Sequence, residues 1–421
     1  MIKAKLDRIL SDKLVKNIGW LTASQIFNRV TRLLTIVVLA RKLTEGDYGI
    51  IAILFSITDL ADIFIQKGGI APKLIQADAD EVEALANTAY WANWILCIGI
   101  FILQSLLAFV VADFYDNSKL IVPIIVMGLP YLLNPAYAVQ NALIRRENRL
   151  KIEALAGSAN AFTSQTLILV LALMNMGLWS VVIAKVVANL TWFWVFRKNH
   201  PWRVSQPFTL HRWQEIFNFS RFPLGIEMLN YLRSNIDYLL IGRFFSLEAL
   251  GLYFFAFNAG LGVSLSAITM VSNSVFPYLC EARTSLSQLK DSYRRSLKIV
   301  AAIMLPIVIL QSSLAPIYVP IIFGEKWIPA IPILILICLS GIPRAFWLVA
   351  EQLLITTDRG SAGLQWNLVF SLMFVLSIIA AAQFNIYTVA AVVLCLQVAF
   401  LPPFIIWTWQ TTFPKVLPTP S

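Results

Sequence analysis

Apolar residues run along this chain in long blocks, each about the length that crosses a bilayer as a helix, separated by short polar breaks. Twelve blocks are read, at about 17–39, 49–67, 88–112, 120–143, 153–175, 178–196, 215–239, 250–275, 297–322, 329–353, 363–383 and 386–409. The breaks near Met176 and near Gln383, Phe384 and Asn385 are so short that the helices they join must run antiparallel. Polar residues recur inside the blocks at helical spacing. In span 1, Gln25, Asn28, Arg29 and Arg32 step by three, one and three, which puts them on one face. Asp59, Asp62 and Gln66 do the same in span 2, and span 7 carries Glu227, Asn230, Ser234 and Asp237 with Arg233 beside them. Lys185 stands in span 6, and Arg344 and Glu351 share a face of span 10.

A charged side chain at the middle of a bilayer costs roughly 2.5–3.5 kcal/mol, so these stripes must face one another or water rather than lipid. They make Gln25, Asn28, Arg29, Arg32, Asp59, Asp62, Lys185, Glu227, Asn230, Arg233, Asp237, Arg344 and Glu351 the candidate substrate-binding cavity. The bland alternative is pairing. Six intramembrane cations (these four arginines, Arg221 and Lys185) face five anions, and structural ion pairs between helices would absorb most of them.

Composition agrees with the blocks. The chain is 58% hydrophobic and only 13% charged, where a soluble protein carries about 25%. The net charge of +10 would suit nucleic acid until it is placed on the spans. Twelve spans put both termini on one side. That side holds twenty-two of the 33 Lys and Arg residues, and the opposite side holds five. The positive-inside rule then makes both termini cytoplasmic and explains the charge without nucleic acid. Residues 1–16 begin with a basic amphipathic stretch and are read as a surface helix rather than a cleaved signal peptide. Trp20, Trp91, Trp179, Trp213, Trp327, Trp407 and Trp409 stand at span ends and are expected to anchor in the interface. Helix breaks are expected at Gly128, Pro130 and Pro135 and at Pro223 and Gly225, while Pro329 and Pro332 fit a first turn.

The chemistry of an enzyme is not in evidence. Cys97, Cys280, Cys338 and Cys395 are isolated, and His200 and His211 share one polar loop. The acidic run from Asp78 to Glu83 is expected to be a solvated face. A membrane-embedded glycosyl- or acyltransferase would need a nucleophile and base that do not accompany it. No metal centre or organic cofactor is expected, and coupling to protons or sodium ions stays open.

Ala40–Gly49 and Gly242–Gly251 share a small–Arg–x–apolar–hydroxyl pattern ending in apolar–Gly, at an offset of 202 residues. Both link an outward-going helix to a returning one. Spans 1–6 and 7–12 therefore read as a parallel repeat, with the substrate site near the midplane between the halves. The expected organisation is a surface helix (1–16), a first six-helix bundle (17–196), a cytoplasmic linker (197–214), a second bundle (215–409) and a cytoplasmic tail (410–421).

Leu39-Ala40-Arg41-Lys42-Leu43-Thr44-Glu45-Gly46-Asp47-Tyr48-Gly49, followed after one helix by Gly68-Gly69-Ile70-Ala71-Pro72-Lys73-Leu74-Ile75-Gln76, resembles the polysaccharide transporter (Wzx-type flippase) family. The likeness is closest to the branch that includes colanic acid exporters. Asn235-Ile236-Asp237-Tyr238-Leu239-Leu240-Ile241-Gly242-Arg243 is similar to the family's corresponding stretch. The resemblance implies an all-α membrane protein with two six-helix bundles around a central cavity. It implies a multi-pass protein of the bacterial inner membrane that moves lipid-linked (undecaprenyl-diphosphate) oligosaccharide repeat units to the outer leaflet for cell-surface polysaccharide synthesis. A polysaccharide polymerase and glycosyltransferases would be its functional partners. By the same resemblance, Arg29, Arg32 and Arg233 are the candidates to hold the diphosphate. Members of this branch often carry fourteen spans, so the likeness does not extend to a last helix pair. The competing reading within the superfamily is a cation-coupled multidrug exporter using Asp59 or Asp62.

Overall fold

Long apolar blocks with few internal breakers satisfy their backbone groups only as helices, and helices are what form. The computed structural model of the protein describes residues 31–67, 70–261, 268 and 274–413, and no strand occurs among them. Two compact units divide the chain, Met1–Ser234 and Asn235–Ser421.

In the first unit α1 covers residues 31–42. It is followed by α2 (Glu45–Lys67), α3 (Ile70–Gln76), α4 (Val82–Phe114), α5 (Ile121–Leu133), α6 (Pro135–Arg146), α7 (Leu150–Leu173), α8 (Trp179–Asn199) and most of α9 (Trp213–Phe244). Thr44 starts α2 with a reciprocal cap. Its Oγ1 accepts from Asp47 N at 3.1 Å, and Asp47 Oδ2 accepts from Thr44 N at 3.1 Å. Several C-termini carry Asn or Asp where glycine is usual. Asp116, Asn148 and Asn175, at φ 49°, 55° and 60°, follow α4, α6 and α7. After α6, Arg149 N donates to Ile144 O and Asn148 N to Arg145 O, both at 3.0 Å, which satisfies carbonyls that the helix leaves open.

The second unit holds the end of α9, α10 (Leu247–Ala256), a π turn at Phe257–Leu261, α11 (274–281) and α12 (Leu286–Tyr318). A π turn (Val319–Phe323) and a 3₁₀ turn (Glu325–Ala330) lead to α13 (Ile331–Thr356), α14 (Gly360–Ala381) and α15 (Ile386–Thr412). Ser246 caps α10 by accepting from Ala249 N at 3.1 Å. Thr44 and Ser246 hold the hydroxyl position of the sequence repeat, so that position is an N-cap in both units. Pro332 lies in the first turn of α13, where its missing N–H costs nothing.

Among the described residues, seven helices are long and apolar enough to cross a membrane, and α5 with α6, bent by 54°, makes an eighth. Of the other four sequence blocks, 17–39 and 250–275 lie partly outside the described residues. The block on α9 carries five charges, and only Gln365–Ala381 of α14 is apolar. The 54° bend falls at Asn134 and Pro135, beside the expected break. Gly128 lets α5 approach α4 closely: a Cβ there would sit 2.9 Å from the Phe101 ring and 3.3 Å from Gln104 Nε2.

Two expectations change. Trp327 is fully buried and stacks on Phe255 with centroids 4.0 Å apart, so it is a core residue rather than an interfacial anchor. The acidic run is partly engaged: Glu81 accepts from Arg212 at 3.0 Å and Glu83 from Ser205 Oγ at 3.2 Å, while Asp78 and Asp80 stay exposed. In the 197–214 segment, Ser205 N at 3.0 Å and Gln206 N at 3.3 Å donate to buried Asn87 on α4. Gln140 Nε2 adds a bond to Trp202 O at 3.2 Å, so this segment is fastened to the first unit.

Candidate functional site

Asp59 and Asp62 lie nearly one turn apart on α2, and the helix packing leaves a cavity of about 410 Å³ against them inside the first unit. Lys185 of α8 enters the same cavity, its Nζ lying 5.3 Å from the Phe55 ring centroid. Among the described residues Lys185 makes no ion pair within 4 Å with either carboxylate. Beside the α6–α7 turn, by contrast, Arg145 Nη2 and Glu153 Oε1, which also line the cavity, are paired at 3.1 Å.

A chain of uncharged polar groups lies in the same wall. Asn93 Nδ2 donates to Asn134 Oδ1 at 3.0 Å, Asn134 Nδ2 to the Tyr137 hydroxyl at 3.4 Å, and that hydroxyl to Asn189 Oδ1 at 3.2 Å. The α5–α6 break makes this chain possible, since Asn134 sits at the bend and Tyr137 lies in the first turn of the redirected helix. Asn160 Nδ2 donates to Ala188 O at 2.7 Å. Asn141 Oδ1 is buried with no partner in the protein. Deeper, Gln104 bridges Ile124 O at 2.7 Å and the Tyr131 hydroxyl at 3.0 Å, which fixes the α4–α5 wall.

Of the thirteen predicted residues, Asp59, Asp62 and Lys185 are thus brought together. Gln25, Asn28 and Arg29 lie outside the described residues, and Arg32 is exposed on α1. Asn230 and Arg233 lie on α9 in the first unit, as does half-buried Glu227. The other three lie in the second unit, each with partners of its own. Asp237 is 6% exposed and accepts from the Tyr253 hydroxyl at 2.8 Å and from Tyr238 N at 3.0 Å. Arg344 Nε donates at 3.3 Å to Gln397, whose amide, oriented to suit both neighbours, donates at 2.7 Å to Ser340 O. Glu351 accepts from Asn367 Nδ2 at 2.8 Å. The amide chain of the first unit escaped the sequence reading because uncharged Asn costs far less in a span than Asp or Lys. The signal available was the recurrence of Asn in blocks 3 to 6.

A family model described as "Polysaccharide biosynthesis protein" matches residues 38–332, well over half of the chain. The chain belongs to this polysaccharide biosynthesis family. It is 25% identical over 413 residues to the teichuronic acid biosynthesis protein TuaB of Bacillus subtilis, covering 96% of this chain and 83% of that one. It is 23% identical over 383 residues to the lipopolysaccharide biosynthesis protein WzxC of Escherichia coli, covering 89% and 76% respectively. Solved structures share its fold. An inward-facing multidrug resistance MATE family transporter of the MOP superfamily aligns with a TM-score of 0.75 at 12% identity, over 91% of this chain and 94% of that chain. The lipid II flippase MurJ aligns with a TM-score of 0.75 at 11% identity, over 93% and 87%. The protein is therefore a multi-pass helical membrane protein of the bacterial inner membrane with a transporter fold.

Proposed function

We propose that the protein flips lipid-linked oligosaccharide repeat units from the inner to the outer leaflet of the inner membrane, for synthesis of a cell-surface polysaccharide. The observation that carries the reading is a polar, charge-bearing cavity inside a membrane-spanning bundle of a chain from a polysaccharide biosynthesis family. A lipid-linked sugar needs a polar path for its head group and lets its tail stay in lipid, and a cavity of this kind removes the head group's desolvation cost. The full arrangement in this reading is twelve spans in two six-helix bundles about a central cavity, with cytoplasmic termini and alternating access between the bundles. Arg29, Arg32 and Arg233 hold the diphosphate, since guanidinium forks match phosphate oxygens bidentately. Lys185 offsets part of the charge of Asp59 and Asp62. The chemistry is transport without a covalent step, and polymerase and glycosyltransferases act before and after it.

The test is movement of a fluorescent undecaprenyl-diphosphate oligosaccharide in proteoliposomes, with Arg29→Ala and Arg233→Ala beside wild type. Transport that collapses in both variants supports the reading and the arginine roles. Full transport in both leaves the flippase and removes those roles. A folded wild type that moves no lipid-linked sugar overturns the reading.

A second reading has one observation in its favour. Asp59 and Asp62 share a cavity in a fold also used by multidrug transporters, as a proton or sodium site of an exporter would. Lys185 in the same cavity weighs against a bound metal cation, because a fixed ammonium already offsets one carboxylate. Efflux of cationic dyes with no flipping would decide for it.

A further inference from the structure

We propose that the amide-lined part of the first unit's cavity is a carbohydrate subsite, which reads one or two sugars of the transported head group; this rests on the flippase reading above. Asn93, Asn134, Asn141, Asn160 and Asn189 reach one cavity from α4, the α5–α6 bend, α6, α7 and α8. A primary amide offers a donor pair and an acceptor in one plane, and a pyranose presents neighbouring hydroxyls that each donate and accept. Five amides around one space therefore suit a polyhydroxylated ligand.

Other occupants fit less well. The chain from Asn93 to Asn189 consumes only part of each amide's capacity, and Asn141 Oδ1 is left buried without a partner. A lipid tail would strand those groups at a cost of about 1–3 kcal/mol each. A diphosphate finds no cationic surplus. Arg145 and Glu153 cancel as a pair, and Asp59 and Asp62 offset Lys185 together with Arg32, which lies within electrostatic reach of that ammonium. A bare ion is far too small for a space of about 410 Å³, which lies in the range of small-molecule pockets. Trp192, held in a stack on Phe196 with centroids 5.3 Å apart, adds an aromatic wall of the kind that packs on the C–H face of a sugar ring. With no cationic surplus, a neutral sugar fits better than a uronic acid.

The experiment uses full-length protein in nanodiscs and, as probe, the free oligosaccharide released by mild acid from the host's own lipid-linked repeat units. Binding is read by saturation-transfer NMR and calorimetry for wild type, Asn141→Ala and Asn189→Ala. Asn141→Ala breaks no side-chain bond to Oδ1, so it tests the site even if Asn189→Ala, which strips a partner from Tyr137, fails to fold. The expected result is binding by wild type, about tenfold weaker in Asn141→Ala (some 1.4 kcal/mol) at unchanged melting temperature, with no competition from inorganic pyrophosphate. No binding by wild type, equal binding by the variant, or displacement by pyrophosphate would overturn the subsite. Flipping assays on the same proteins separate the two claims. Intact flipping without sugar binding removes the subsite alone. Sugar binding without flipping of any lipid-linked substrate upholds the subsite and removes the flippase.

Discussion

Tyr253 on α10 donates its hydroxyl to Asp237 on α9 at 2.8 Å, and both side chains are buried in the second unit. A carboxylate in such a place needs each of its acceptor positions answered, and Tyr238 N supplies the other bond, at 3.0 Å. Tyr253→Phe removes the hydroxyl and keeps the ring. We expect it to lower stability by about 1–3 kcal/mol, and Asp237→Asn in the same background to recover part of the loss. Thermal unfolding of the purified variants in detergent measures both.

Lys185 is the only described cation among the cavity-lining residues not paired with a carboxylate within 4 Å. Lys185→Ala leaves Asp59 and Asp62, neighbours on one face of α2, without the ammonium that shares their cavity. We expect transport to fall by at least about tenfold, and Asp59→Asn combined with it to restore a measurable part, since the double change returns the cavity to its wild-type net charge. Initial flipping rates in proteoliposomes for the four proteins of this cycle give the answer.

Glu147, at the α6–α7 turn, is held below the ordinary carboxylate range, first by its hydrogen bond with Arg149 at 3.0 Å and then by His200 Nε2 at 3.2 Å. A depressed carboxylate contributes stability that is full above its unfolded value, about 4.3, and is lost as pH falls through the lower folded value. The stretch around His200 should therefore keep its hydrogen-exchange protection from neutral pH down to about pH 5, as far as Glu147 governs it. Below about pH 4 protection should drop, and Glu147→Gln should remove that acid-dependent step.

Gly128 faces Phe101 and Gln104 across the α4–α5 contact. Gly128→Ala pushes against the Phe101 ring and against the amide that bonds Ile124 O. Overpacking of this kind costs about 1–3 kcal/mol, visible as a lower melting temperature. Gly99 has no heavy atom within 4 Å of the same virtual Cβ, so Gly99→Ala should not lower stability and serves as the control.

What the sequence by itself determined was the medium and the helices. Blocks of apolar residues dictate membrane-crossing helices, since a lipid-exposed backbone has no other way to satisfy its polar groups. Asp59, Asp62 and Lys185 were legible for the same reason: a charge in an apolar block is costly enough to demand a purpose. The hydroxyl position shared by Thr44 and Ser246 was legible as well, because a helix start needs an oxygen at one defined position.

Only the tertiary structure decided which stripes meet. Spacing puts Asp237, Arg344 and Glu351 on faces of their helices, but whether such a face turns to a cavity or to buried partners depends on neighbours from about a dozen to more than a hundred residues away in sequence. Asp237 meets Tyr253 and Arg344 meets Gln397, while Lys185 meets Asp59 and Asp62 across an open space. The amide chain from Asn93 to Asn189 was hidden for a related reason. An uncharged amide in a span carries a small penalty and therefore a small signal, and the five become a site only where the 54° bend at Asn134 brings their helices around one cavity.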